Sequence, residues 1–206
     1  MWLALRDFYV NSWRLLAVNA ALGAVLAASV LAALAIPAAA IVVLAAGPVT
    51  AALVHCAVTL VQTGNLVLAD AWEGLRLHWR RGLALGAAGA GLMLLGLLAV
   101  RMYVSTSLWP LTMLTVYVVV LLGIYQLVLW TLAIAEAERP LRFVAREAAV
   151  VVAQRPGGML VLGLALLLVN AGGLVAAVMP FLTLTVAYTF LAVAHFLLEP
   201  SSEVTV

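Results

Sequence analysis

Residues 69–103 read ADAWEGLRLHWRRGLALGAAGAGLMLLGLLAVRMY, and the change of character at Gly82 decides the fold class. Up to Arg81 the stretch is amphipathic: Leu68, Trp72, Leu75 and Trp79 recur at helical spacing, and Asp70, Glu73, His78, Arg80 and Arg81 fill other positions. From Gly82 to Val100 there is no charged residue. About 20 apolar residues in a helix cross the roughly 30 Å of a bilayer core. The two halves therefore read as an interfacial helix with tryptophans at headgroup depth, followed by a transmembrane span.

The same pattern extends over the whole chain. Hydrophobic residues make up 67% and charged residues 9% of the 206, far from the roughly 25% charged of a soluble domain. The segments 15–36, 48–68, 82–103, 109–135, 157–178 and 180–198 read as six transmembrane helices of one integral-membrane domain. The expected fold class is thus an all-α polytopic bundle with two cytoplasmic amphipathic interfacial helices, at 69–81 and within 136–156. In the second of these Leu141, Val144, Ala148 and Val151 share a face. A further short interfacial helix is expected over 2–14. The turn between the last two spans falls at Gly172-Gly173 or at Met179-Pro180. The first apolar stretch runs about twenty residues, longer than the 7–15 of a secretory signal, and is read as a retained span.

All ten basic residues are arginines, and nine fall in three stretches: Arg6 and Arg14; Arg76, Arg80 and Arg81; and Arg139, Arg142, Arg146 and Arg155. Six spans put these stretches on one side, and the positive-inside rule makes that side cytoplasmic, with both termini there. Arg101, near the outer end of its span, can snorkel to headgroups. A net charge of +2 gives no electrostatic case for nucleic acid, and membrane lipid is the expected partner of the basic residues.

The residues that could carry chemistry are few. No Walker A, HExxH, GxSxG or paired-carboxylate motif occurs, and Cys56 is the only cysteine, so no catalytic residue, metal site or cofactor is expected. All eight carboxylates fall outside the six spans, which disfavours an ion-coupled transporter. Asn19, His55, Gln126 and Asn170 either line a polar path between helices or hydrogen-bond neighbouring helices. His55 and His195 each stand alone in the sequence. Gly82, Gly86 and Ala90 form a small-xxx-small stripe for close helix packing, inside the bundle or against another chain. Trp72, Trp79, Arg80, Arg81, Arg142 and Arg146 are the candidate contacts to lipid or to a partner protein.

RDFYVNSWRLLAVN at the start, then GPVTAAL (Gly47, Pro48, Thr50, Ala51 and Ala52), then DAWEGLRLHWRRGL with Trp72, Trp79, Arg80 and Arg81, resembles the YesL-type bacterial membrane proteins, a family of unknown function. AREAAVVVAQRP, ending in Arg155-Pro156, is similar to the family's later basic segment. An apolar insert between Pro37 and Gly47 and a leucine at position 75 depart from its pattern. The resemblance implies an inner-membrane protein that accompanies carbohydrate uptake by ABC importers, with importer permease subunits as partners and no established enzymatic residues. Two functions follow as expectations. One is a non-catalytic accessory or assembly component of such uptake; the other is a small permease or channel with a polar path between its helices.

Overall fold

The computed structural model describes residues 2–10, 12–35, 44–104, 106, 110–176 and 185–198. Among them the chain is all-α, with no strand. The helices are α1 (Trp2–Val10), α2 (Ser12–Ala35), α3 (Ala46–Thr63), α4 (Leu68–Val104), α5 (Pro110–Ala135), α6 (Leu141–Gln154), α7 (Pro156–Ala176) and α8 (Val186–Leu197).

The hairpin of α3 and α4 organises the molecule. Gly64 ends α3 at φ 71°, a left-handed conformation suited to glycine, and its N–H closes onto the Leu60 carbonyl at 2.9 Å. Thr63 Oγ1 then donates to the Asn65 carbonyl at 2.9 Å. Asp70 Oδ2 accepts from the Val67 N–H at 2.8 Å, half of a capping box at the start of α4. Arg14 of α2 closes the turn from outside, donating to the Leu66 carbonyl and, at 3.2 Å, to Asn65 Oδ1.

α4 runs unbroken for 37 residues, about 55 Å at 1.5 Å per residue. The stretch 69–81 is therefore not a separate helix lying on a surface but the first third of one long helix. Antiparallel to it lies α3, so the segment read as the second span pairs with 68–86, which takes in only the first turn of the third span. The reason is Gly64-Asn65, which ends α3 before Leu68 and lets the chain reverse at once. Beyond Gly86, α4 leaves α3 and pairs with α5.

Apolarity serves two ends in this architecture. α3 is apolar because it is the centre of the protein: Leu53, Val54, Cys56, Ala57 and Leu60 are fully or almost fully buried, with α4, α8, α2 and α5 around them. The far halves of α4 and α5 are apolar and uncovered, with Leu94, Leu95, Leu97, Leu98, Met113 and Leu114 all exposed. A helix that is hydrophobic all round is either core or membrane-spanning, and the two cases stand side by side.

Three helices among the described residues, α3, α4 and α5, are long and apolar enough to cross a membrane. The count is four if α6 and α7, which meet at 97°, form one broken span. The sequence led to six. Segment 48–68 is cut at Gly64, and 15–36 and 180–198 fall partly outside the described residues. α7 passes through Gly172-Gly173 as continuous helix, so the last turn is not at those glycines. Met179-Pro180, Pro37 with most of the loop after it, and the chain beyond Leu198 lie outside the described residues. α1 ends at Val10, earlier than the interfacial helix expected over 2–14, and turns Tyr9 outward. On α6, Val144 and Ala148 are buried with Leu141 and Val151 partly so, and Tyr125 of α5 donates to the Ala145 carbonyl at 3.1 Å.

Candidate functional site

The first third of α4 has two faces, and the sequence assigns them only in part. The face packed on α3 is the one with small side chains and histidine: Gly74, His78, Gly82 and Leu85 are buried. A Cβ on Gly82 would stand 2.8 Å from the Gly47 carbonyl oxygen and 2.9 Å from Pro48 Cα. One on Gly86 would stand 3.0 Å from Gly47 Cα. Gly82 and Gly86 thus seat the Gly47-Pro48 opening of α3 against backbone, where no side chain can yield. Ala90 is exposed and belongs to no such contact. Gly96 meets α5 instead, where its Cβ would lie 2.6 Å from Val119 Cγ2.

One turn further along the same seam, the His55 and His78 rings lie 5.1 Å apart, centroid to centroid. A Cβ on Gly74 would strike His55 at 2.7 Å, so that glycine makes the room. His55, which stands alone in the sequence, is thus paired with His78 of the amphipathic stretch, His78 buried at 4% exposure and His55 partly buried. The signal that could have found them is the turn chemistry of Thr63-Gly64-Asn65, which sets the hairpin register.

The opposite face of α4 is largely exposed, with Trp72 at the edge of a groove against Ala17, Val18 and Ala21 of α2. Trp72 is 70% exposed and Trp79 46% exposed, with Arg76 and Arg80 exposed beside them. The Arg80 guanidinium stacks over the Trp79 ring at 5.1 Å. Arg81, by contrast, does not project outward as expected of it. Its Nη1 donates to the Ala133 carbonyl at 2.8 Å and the Glu136 carbonyl at 3.3 Å, and its Nη2 to the Arg139 carbonyl at 2.6 Å. The last carbonyls of α5 lack intrahelical partners and carry partial negative charge, and α5 has no basic residue in its own last turn. Arg81 supplies that cation from the neighbouring helix.

Arg139 is held likewise, bound to Glu136 at 2.6 Å and Glu147 at 2.8 Å. Those carboxylates, Glu136 foremost, raise the guanidinium's pKa further. Arg142 and Arg146 remain exposed on α6, and Arg142 lies 4.8 Å from the centroid of the exposed Phe143 ring.

The four polar side chains of the expected path do not converge. Gln126 lines a cavity of 210 Å³ between α4 and α5, with Gly89, Met93 and Trp130. Asn170 lines a groove of 430 Å³ between α5, α7 and α8, and the two spaces adjoin at Met93, Val119 and Gly123. His55 and Asn19 line neither. Asn170 Nδ2 donates to Thr189 Oγ1 and to the Leu166 carbonyl, both at 2.8 Å, and the Thr189 hydroxyl donates onward to the Thr185 carbonyl. Asn170 is thereby hydrogen-bonded to a neighbouring helix. Asn19 is fully buried, with no hydrogen bond to its amide among the described residues.

A contact that sequence reasoning missed joins α1 to α8. Asp7 Oδ2 lies 3.0 Å from His195 Nε2, and Phe8 packs edge-on against Tyr188 with ring centroids 5.9 Å apart. His195 is thus paired with a carboxylate, and Asp7 sits against the bundle. No group of three or more metal-ligating side chains occurs among the described residues. The chain matches no known protein family, no characterised protein and no solved structure.

Proposed function

We propose that this is a non-catalytic, multi-pass membrane protein that docks other membrane components through the exposed Trp72–Arg76–Trp79–Arg80 face of α4. Its setting, following the YesL-type resemblance, is a bacterial inner membrane, where it serves as an accessory or assembly partner of an ABC-type carbohydrate importer. One observation carries this reading. The small-residue face of α4 is filled by α3, yet two tryptophans and two arginines on the other face are left uncovered. Exposed tryptophan and arginine are the residues most enriched at interface hot spots.

The orientation proposed is cytoplasmic for the basic stretches 76–81 and 139–155. In support, the Arg81–Arg139 contact brings these two stretches to one end of the α4–α5 pair. The permease alternative draws on the adjoining cavities at Gln126 and Asn170. Their apolar linings, and the engagement of the Asn170 amide by Thr189, favour the accessory role.

The test is a photo-crosslinking amino acid at position 76 in native membranes, followed by mass spectrometry of the adducts. An importer permease subunit is the expected partner. Adducts to lipid alone would remove the docking role. For orientation, in a Cys56→Ala background an impermeant maleimide should reach a cysteine at position 106 from outside and spare one at position 80. The reverse pattern overturns the assignment.

A further inference from the structure

We propose that the groove on the outer side of α6 is a binding site for an anionic phospholipid, its phosphodiester held by Arg142 and Arg146 and its acyl chain laid along Phe143 and Val150. The proposal uses the membrane placement of the chain and is independent of the docking face on α4.

The groove encloses 480 Å³ and is lined by Arg139, Pro140, Phe143, Arg146, Glu147 and Val150. Its charge is not balanced internally. Two guanidiniums, Arg139 and Arg146, line it against one carboxylate, Glu147, which Arg139 binds together with Glu136, and Arg142 stands at its edge over the Phe143 ring. Among the described residues neither Arg142 nor Arg146 bonds a carboxylate, and the two stand at i and i+4, where neighbouring side chains on a helix can converge. Two adjacent guanidiniums with fork-like donors suit a phosphate oxygen pair.

A phosphate alone would leave the rest of the groove unexplained. Phe143 is 52% exposed and Val150 is exposed one helical face away from the core, although apolar positions for the core are filled by Val144 and Ala148. Phe143, Arg146 and Val150 follow at i, i+3 and i+7, one stripe that is apolar at both ends and basic between. Nucleotides and acidic peptides offer the anion without a partner for that apolar length. Orientation decides the matter. α6 meets the apolar α7 at 97°, so where α7 crosses a bilayer α6 lies in the plane of its surface. The stripe then runs along the boundary between headgroup and acyl chain, where anionic lipid is concentrated on the cytoplasmic leaflet.

The experiment uses the delipidated full chain in a neutral detergent, titrated with dioctanoyl phosphatidylglycerol. Dioctanoyl phosphatidylcholine and glycerol 1-phosphate are the comparison ligands, and binding is read by shift of melting temperature and by Kd. Phosphatidylglycerol should bind saturably, and phosphatidylcholine and glycerol 1-phosphate at least about tenfold more weakly. Arg142→Gln and Arg146→Gln should each weaken phosphatidylglycerol about fivefold, whereas Arg76→Gln on α4 should leave it unchanged. Phe143→Ser should weaken the lipid and leave glycerol 1-phosphate as it was. Equal phosphatidylglycerol affinity in wild type and the Arg142→Gln/Arg146→Gln double variant overturns the proposal. So does glycerol 1-phosphate or phosphatidylcholine binding as tightly as phosphatidylglycerol. Should either arginine variant fail to fold, salt titration of the unaltered protein decides: affinity falling with NaCl supports the site, and affinity indifferent to salt overturns it.

Discussion

Adding one methyl group at Gly82 tests the α3–α4 seam with the smallest available change. In Gly82→Ala the new Cβ lies 2.8 Å from a carbonyl oxygen, 2.9 Å from Pro48 Cα and 3.0 Å from Ala51 Cβ. Carbon contacts prefer about 3.5–4.0 Å, so α3 must move away by over half an ångström, or strain is retained. Overpacking of this kind costs about 1–3 kcal/mol. Against it, exchanging glycine for alanine inside a helix gains about 1 kcal/mol of propensity. Gly91→Ala collects the gain alone, because nothing lies within 4 Å of a Cβ there. The gap between the two variants is therefore the steric cost itself, about 2 kcal/mol, or about 4–8 °C of melting temperature for a chain of this length. Thermal melting of both proteins in the same detergent measures it. If Gly82→Ala melts at or above Gly91→Ala, the close approach of Gly47-Pro48 to α4 is wrong, and with it the hairpin register.

Arg81→Gln should lose about 2–3 kcal/mol, because charge-assisted bonds to three carbonyls are replaced by at most two neutral ones. Arg80→Gln, which loses only a stacking contact on an exposed face, should shift the melting temperature by less than a third as much. Equal shifts would mean that Arg81 is not the clamp of the α5 terminus. Asn170→Leu should cost on the order of 0.6–2 kcal/mol by breaking the interhelical bond to Thr189, and Thr189→Val in the same background should add little, a coupling read by a double-mutant cycle. Cys56 is fully buried on α3, so its thiol should react with a maleimide only as the protein unfolds. Labelling at the rate of a free thiol under native conditions would contradict the packing of that helix.

What could be read from the residues follows the range over which each signal acts. The uncharged run after Gly82 and the flanking arginines are composition over tens of residues, and they led to an all-α chain with long apolar helices. The Gly82/Gly86 spacing points to a close approach but does not name the helix that approaches. Two apolar segments, 48–68 and 109–135, were equally eligible; the structure gives Gly82 to the first and Gly96 to the second. The choice turns on Gly64-Asn65, a two-residue break that weighs little in a hydropathy window and yet brings His55 onto His78. Nor could one-dimensional reading separate Arg80 from Arg81. They are adjacent in the chain, but about 100° of helical rotation sends one to solvent and the other under the end of α5. The Asp7–His195 pair is harder still, since 188 residues separate its members and no local pattern marks either.

That separation bears on how the chain is made. Ribosomes add about 5–20 residues per second, so roughly ten to forty seconds pass between the synthesis of Asp7 and that of His195. Over that interval α1 has no α8 to lie against, and Phe8 has no Tyr188. Arg6, 3.4 Å from the Asp7 carboxylate in the finished fold and next to it in the chain, is already present. Until α8 is made α1 has only α2 to lie against, and its docking becomes one of the closing events of biogenesis. A nascent chain released before residue 186 would carry α1 without its α8 contact and open to proteases. Proteolytic trimming near Tyr9 would then report on how far synthesis had gone.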